Sequence, residues 1–207
     1  MRARAADLQD SQGAVMLGPG DDTSSAWDKV LAARDPGWLR APDRPRTGGY
    51  LAEERLAGAE VSVEALVSTG TIVCANITEK TVLTGRYPVG VGHCVPAELP
   101  APVQEELIVD TRLLIESTGF GYGCGFIHAE WILADSTPRL VECAARIPGD
   151  DITTLIDLAH GTRVVDDLFR LMTGGTVRPR RPRLAATPGI VTSVGGIEHA
   201  RDMDGVV

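Results

Sequence analysis

The stretch GYGCGFIHAEWILADSTPRLVECAARIPGDDI, residues 121–152, holds the pattern on which the reading of this chain turns. Gly121 to Gly125 lead into a strand-like run from Phe126 to Leu133, in which residues 126, 128, 130 and 132 share one face. Asp135-Ser136-Thr137-Pro138 supplies turn chemistry. Arg139 to Ala144 returns as a partner strand, with Leu140, Glu142 and Ala144 on one face. Folding about Ser136 sets Glu130 opposite, or nearly opposite, Glu142.

Two like charges facing each other across a ladder destabilise it. The neighbours Ile132, Leu140 and Val141 are apolar, so the pair does not sit on a fully wet surface. Compensation can come from a raised pKa on one carboxyl, from a nearby arginine, or from a metal. Hard oxygen donors suit magnesium, which takes one or two carboxylates together with phosphate oxygens and water. Arg146, four residues past Glu142, is placed to meet charge that develops in phosphoryl or acyl transfer. The plainer alternative leaves both glutamates on a solvated sheet face. His128 reads as a partly buried histidine rather than a ligand.

Upstream of the hairpin, Pro102 opens a helix with Gln104, Glu105 and Glu106 in its first turn, and Gly119 ends it. Before that, Val61, Val63, Ala65 and Val67 alternate with Ser62 and Glu64, the pattern of a half-buried strand. Ser68-Thr69-Gly70 turns the chain into a returning strand, Thr71 to Ile77, and residues 83–101 read as a Gly/Pro-rich loop. Nearer the N-terminus, a short strand is predicted at Gly13 to Leu17. A helix is predicted from Thr23 to Ala33, capped by Asp22 or Thr23, with Trp27, Val30 and Leu31 on one face. Residues 34–49 read as a long loop.

Downstream, helices are predicted from about Asp151 to His160 and from about Val164 to Met172, stopped by Gly161 and by Gly174-Gly175. Arg178, Arg180, Arg181 and Arg183 alternate with Pro179 and Pro182 as an extended linker, for which phosphate binding is the alternative role. A strand from Ile190 to Val194 and a helical turn from Glu198 to Met203 close the chain.

The 207 residues are enough for one domain or two small ones, and 43% hydrophobic with 23% charged residues is a globular composition. A net charge of −8 argues against nucleic acid or an anionic membrane as the main partner. Cys74, Cys94, Cys124 and Cys143 have no zinc-ligand spacing, and Cys74 and Cys143 read as small buried residues. No long apolar run or signal peptide is visible, so a cytoplasmic location with reduced thiols is expected.

The quoted hairpin resembles the closing hairpin of ATP-grasp carboxylate–amine ligases. The resemblance implies that Glu130 and Glu142 bind the magnesium (or manganese) of Mg-ATP and that Arg146 stabilises the acyl-phosphate and tetrahedral species. The family commonly has Asn two residues after the second acid; Ala144 stands there, in an E-x-A-x-R pattern similar to the amino-acid ligase branch. A second stretch, YLAEERLAGAEVSVEAL from Tyr50, resembles the family's hinge. It implies adenine contacts near Glu53, Glu54 and Leu56, and a ribose-binding role for Glu60. ITEK (Ile77 to Lys80) and GHCVPAELP (Gly92 to Pro100) resemble loops that cover substrate in that branch, with Lys80 and His93 as candidate contacts and a structural role as the alternative for each.

The implied fold is α+β: an ATP-grasp fold with a mostly antiparallel sheet, flanking helices and an incomplete small subdomain. The implied organisation is a remnant of that subdomain with a loop in 1–49, a nucleotide- and metal-binding part in 50–174, and a linker with a partial C-terminal subdomain in 175–207. Relative to the family the chain looks shortened at both ends: no lysine precedes Lys29, where the family has one before its glycine-rich loop. The implied activity is ATP-dependent amide formation from a small-molecule carboxylate and an amine. The alternatives are a nucleotide-binding fragment or split subunit, working as a homodimer or with a complementary chain, and a binding module without chemistry.

Overall fold

A computed structural model describes residues 1–6, 13–33, 48–83, 89–120, 123–178 and 189–191. The chain divides into two compact units, one containing Met1–Leu56 and the other Ala57–Leu83 with Gly90–Val207. The predicted loop at 34–49 falls mostly outside the described residues, as do the Arg/Pro linker beyond Arg178 and the tail after residue 191.

In the first unit, β1 (Arg2–Ala5) lies between β2 (Val15–Met16) and β3 (Tyr50–Glu53), both antiparallel to it. Helix α1 (Thr23–Ala32) starts at Asp22, whose Oδ1 accepts from the Ser24 amide at 3.0 Å. The helix buries Ala26 and Val30 against Ala3, Val15 and Leu17. Trp27 and Leu31 do not share that buried face: both are exposed, and Trp27 meets Tyr50 edge-on with centroids 5.0 Å apart. Because β3 pairs with β1, residues 50–56 fall with the N-terminal unit and not with the segment that follows.

The second unit is a six-stranded sheet in the order β8-β7-β4-β5-β6-β9. Its strands are β4 (Ala59–Ser68), β5 (Thr71–Leu83), β6 (Val89–Val95), β7 (Cys124–Ala134), β8 (Thr137–Ala144) and β9 (Gly189–Val191). The pairs β4–β5, β4–β7, β7–β8 and β6–β9 are antiparallel. Helix α2 (Ala101–Thr118) packs Leu107 and Ile115 against one face, built from Val61, Val63, Ala65, Val67, Ile127, Ala129 and Trp131. Gly119 ends it in the left-handed conformation. Helices α3 (Ile152–His160) and α4 (Val164–Met172) cover the other face, where Ile152, Leu155, Ile156 and Val164 meet Leu66, Val95 and Phe126.

This layering corrects three expectations. Strand β4 is not half-buried, because helices cover both of its faces and Ser62 and Glu64 are as buried as the valines beside them. Ile77 to Lys80 is not a loop: it lies inside β5, which runs on to Leu83. Gly92 to Val95 belongs to β6 rather than to a loop over substrate. Cys143 is exposed and Cys74 only partly buried, unlike the buried setting expected of both, and no disulfide joins the cysteines among the described residues. No helix among the described residues is long and apolar enough to cross a membrane.

Candidate functional site

The hairpin of β7 and β8 is closed by Asp135 and Ser136, both at positive φ (50° and 65°), a turn whose twist matches that of the strands. From this turn the register pairs Ala134 with Thr137 and continues to Trp131 with Leu140. Continued unchanged, it would set Val141 opposite Glu130. A register shift intervenes between Glu130 and Trp131, leaving Val141 as an extra residue and Glu142 opposite Glu130. Leu140 and Glu142 therefore do not share one uninterrupted face, as simple alternation predicts.

Glu130 is not left with its repulsion. Its Oε1 receives the Lys80 ammonium and lies 3.1 Å from His128 Nε2, so the counter-cations are a lysine and a histidine rather than an arginine. Burial would raise this carboxyl. The His128 hydrogen bond and the Lys80 charge outweigh it and pull the pKa down to about 2, opposite to the raised value offered as one compensation. Glu130 Oε2 has no hydrogen-bond partner among the described residues. Glu142 is exposed. Arg146 is exposed as well, and its Nη1 donates to the Ile147 carbonyl at 3.2 Å.

Behind Glu130 lies a buried network that the sequence pattern did not reveal. Glu64 Oε1 accepts from Ser62 Oγ (2.6 Å) and lies 3.0 Å from His128 Nδ1. Glu64 Oε2 accepts from Asn76 Nδ2 (2.8 Å) and Thr78 Oγ1 (2.7 Å). Asn76 Oδ1 is 2.9 Å from His160 Nε2 on α3. Both His128 nitrogens face carboxylate oxygens, which can only accept, so both must carry protons and His128 is an imidazolium. Burial opposes that charge, but Glu130 and Glu64 outweigh it and raise the ring's pKa. Burial would also raise Glu64; hydrogen bonds from His128, Ser62 and Thr78, with the His128 charge, hold it below its ordinary value. Charges thus alternate along Glu64, His128, Glu130 and Lys80. A hint lay in Leu66: it shares the face of Ser62 and Glu64, and an apolar residue there is out of place on a wet face.

The other candidates are distributed as follows. Glu60 is half-buried on β4, opposite Lys80 on one side and Ile132 on the other. Glu53 ends β3 and pairs with Arg4 Nε at 3.0 Å; Glu54 is exposed and Leu56 half-buried, all three within the first unit. His93 is buried on β6 with Nε2 3.7 Å from the Asp150 carboxylate, and this ring holds Asp150 below its ordinary value. No group of three or more His, Cys, Asp or Glu side chains that could hold a metal occurs among the described residues. The protein donors to a cation here are the two carboxylates, which fits magnesium's use of one or two carboxylates with phosphate oxygens and water.

No protein-family profile matches the chain. It is 26% identical over 189 residues to a phosphoribosylamine–glycine ligase of Methanosarcina barkeri, covering 82% of this chain and 43% of that one. Among solved structures it is similar to an L-amino acid ligase from Bacillus licheniformis (TM-score 0.66, 19% identity, 87% of this chain and 42% of that one). It is also similar to a carboxyaminoimidazole ribonucleotide synthase from Aspergillus clavatus solved with ATP (TM-score 0.64, 15% identity, 91% and 44%). The antiparallel sheet with flanking helices and these likenesses show the fold of the ATP-grasp ligases. The chain spans less than half the length of these relatives.

Proposed function

We propose that this chain binds Mg-ATP and belongs to an ATP-dependent carboxylate–amine ligase. The observation that carries the reading is the bulged hairpin, which brings Glu142 opposite Glu130 while one oxygen of Glu130 has no hydrogen-bond partner among the described residues. Glu130 and Glu142 would hold magnesium or manganese, which when bound neutralises phosphate charge. Glu60 would accept hydrogen bonds from ribose hydroxyls, and backbone near Glu53, Glu54 and Leu56 would meet adenine. Arg146 is solvent-facing, and its guanidinium would meet charge on a transferring group.

In the reaction this implies, a substrate carboxylate oxygen attacks the γ-phosphorus of ATP, giving an acyl phosphate and ADP. An amine, from an amino acid in the reading by resemblance, then attacks the acyl carbon, and phosphate leaves as the amide forms. The chain's contribution is positioning and charge stabilisation. The proposed nucleotide- and metal-binding part is 50–174, of which residues 50–56 fold with the N-terminal unit, and 175–207 is the proposed linker and partial C-terminal subdomain. A second copy or a complementary chain is the proposed partner.

The Lys80–Glu130 ion pair favours one second reading: a module that kept the fold while a lysine took over the charge balance of the metal. ADP formation in the presence of magnesium and pooled amino acids separates the two. Release of ADP that depends on added amino acid supports the ligase; a folded chain that binds no nucleotide at millimolar ATP supports the second reading.

A further inference from the structure

Glu130 carries an asymmetry that its own strand does not explain. Both of its partners, Lys80 Nζ and His128 Nε2, engage Oε1, and Oε2 is open among the described residues. The other ring nitrogen of His128, Nδ1, lies 3.0 Å from Glu64 Oε1, so the ring is held between the two carboxylates. Glu64 is itself fixed: Ser62 donates to one of its oxygens, and Asn76 and Thr78 to the other. Asn76 donates with Nδ2 to Glu64 and to Thr78 Oγ1 (2.9 Å) and accepts with Oδ1 from His160 Nε2, so its amide has a single orientation. Burial holds His160 below its ordinary pKa, which favours a ring with a single N–H donor there.

We infer that Glu64 and His128 are positioning residues for the metal site: clamped by Glu64, the His128 ring fixes Glu130 so that one carboxylate oxygen is consumed and the other is presented toward Glu142. This rests on the proposed metal-binding role of Glu130 and Glu142. A purely structural polar core predicts nothing about which Glu130 oxygen is free; the clamp does. Outer partners that orient a metal's ligands are general in metal sites, and removing one commonly weakens metal binding about ten- to hundredfold.

The test is a Mn²⁺ titration of the full chain, alone and with ADP, read from the loss of the free-ion EPR signal. The variants are Glu130→Gln, Glu64→Gln and His128→Gln, each checked for folding by circular dichroism and urea unfolding. Glu130→Gln reports on the metal reading itself. Glu64→Gln and His128→Gln should weaken Mn²⁺ about ten- to hundredfold without contacting it, while ADP affinity without metal stays as in the wild type. The amide of the His128 variant can still donate toward Glu130, so it should lose less than His128→Ala. Should Glu64→Gln not fold, Ser62→Ala, which removes the donor on the same Glu64 oxygen, should give a several-fold loss. Wild-type Mn²⁺ affinity in folded Glu64→Gln or Ser62→Ala and in both His128 variants, with loss in Glu130→Gln, overturns the clamp and leaves the metal reading standing. Failure of the wild type to bind Mn²⁺ overturns both.

Discussion

Glu130 faces Glu142 because β8 carries one residue more than β7: the register that pairs Trp131 with Leu140 slips before it reaches Glu130. The bulge thus selects which β8 side chain stands against Glu130. Deleting Val141 should leave an unbroken ladder in which Glu142 follows Leu140 directly and still stands opposite Glu130. The deletion variant is expected to fold and to keep Mg²⁺-dependent nucleotide binding. Loss of Mg²⁺ dependence in the folded variant would show that the facing of Glu130 and Glu142 is not sufficient for the site.

The turn of the same hairpin places Asp135 and Ser136 at positive φ, where Asn and Gly are preferred. Replacing them together with Asn and Gly should stabilise the chain by about 0.5–1 kcal/mol, read as a higher urea midpoint with an unchanged slope.

Glu64 should behave as a critical buried charge. Glu64→Ala leaves the His128 imidazolium without one of its two carboxylates and strips Ser62, Asn76 and Thr78 of an acceptor. A loss of about 3–5 kcal/mol is expected, the range for breaking a buried pair from one side. Loss below about 1 kcal/mol in urea unfolding, the level of an exposed pair, would mean that the network is not ordered as described.

The pH dependence of stability follows from the direction of each shift. Glu130 is lowered to about 2 and Glu64 is lowered, so their contribution is complete above the unfolded value near 4.5 and fades as pH falls through the folded values. His128 is raised, so its contribution is complete below the unfolded value near 6.5 and fades as pH rises through the folded one. His160 is lowered by burial and acts oppositely: it contributes above 6.5 and less as pH falls. Comparing thermal midpoints from pH 6 to 3, the wild type should lose more than Glu130→Gln. Parallel curves would contradict the pairing of Glu130.

At Gly58, just before β4, a β-carbon would lie 2.2 Å from the Leu133 carbonyl oxygen of β7. Gly58→Ala should cost about 1–3 kcal/mol through this backbone clash, measured by urea unfolding.

Arg146 is exposed, and among the described residues its Nη1 donates to the neighbouring Ile147 carbonyl. Arg146→Ala should change stability by less than about 0.5 kcal/mol, while the proposed amide-forming activity falls about 10²- to 10³-fold.

Much of the sheet was legible because each strand is bounded by turn residues and its apolar positions alternate. Both C-terminal helices were legible too, since Gly161 and Gly174 mark their ends. The facing of Glu130 and Glu142 was legible to within one residue; the bulge that completes it leaves no mark in the pattern. What hid the buried network was the same alternation that revealed β4. Ser and Glu between valines read as a wet face, and only the cover of α3 and α4, elements more than 80 residues later in the chain, makes that face an interior one. Lys80 was missed as the partner of Glu130 because β5 continues past Ile77, which brings residue 80 into the sheet.

The most direct measurement is calorimetry of ADP binding, with and without magnesium, to the wild type and to Glu142→Ala. The expected result is magnesium-enhanced binding in the wild type and loss of that enhancement in the variant, with the metal-free affinity of the two alike. Equal binding by both proteins in magnesium would contradict the assignment of Glu130 and Glu142 as the metal-holding pair.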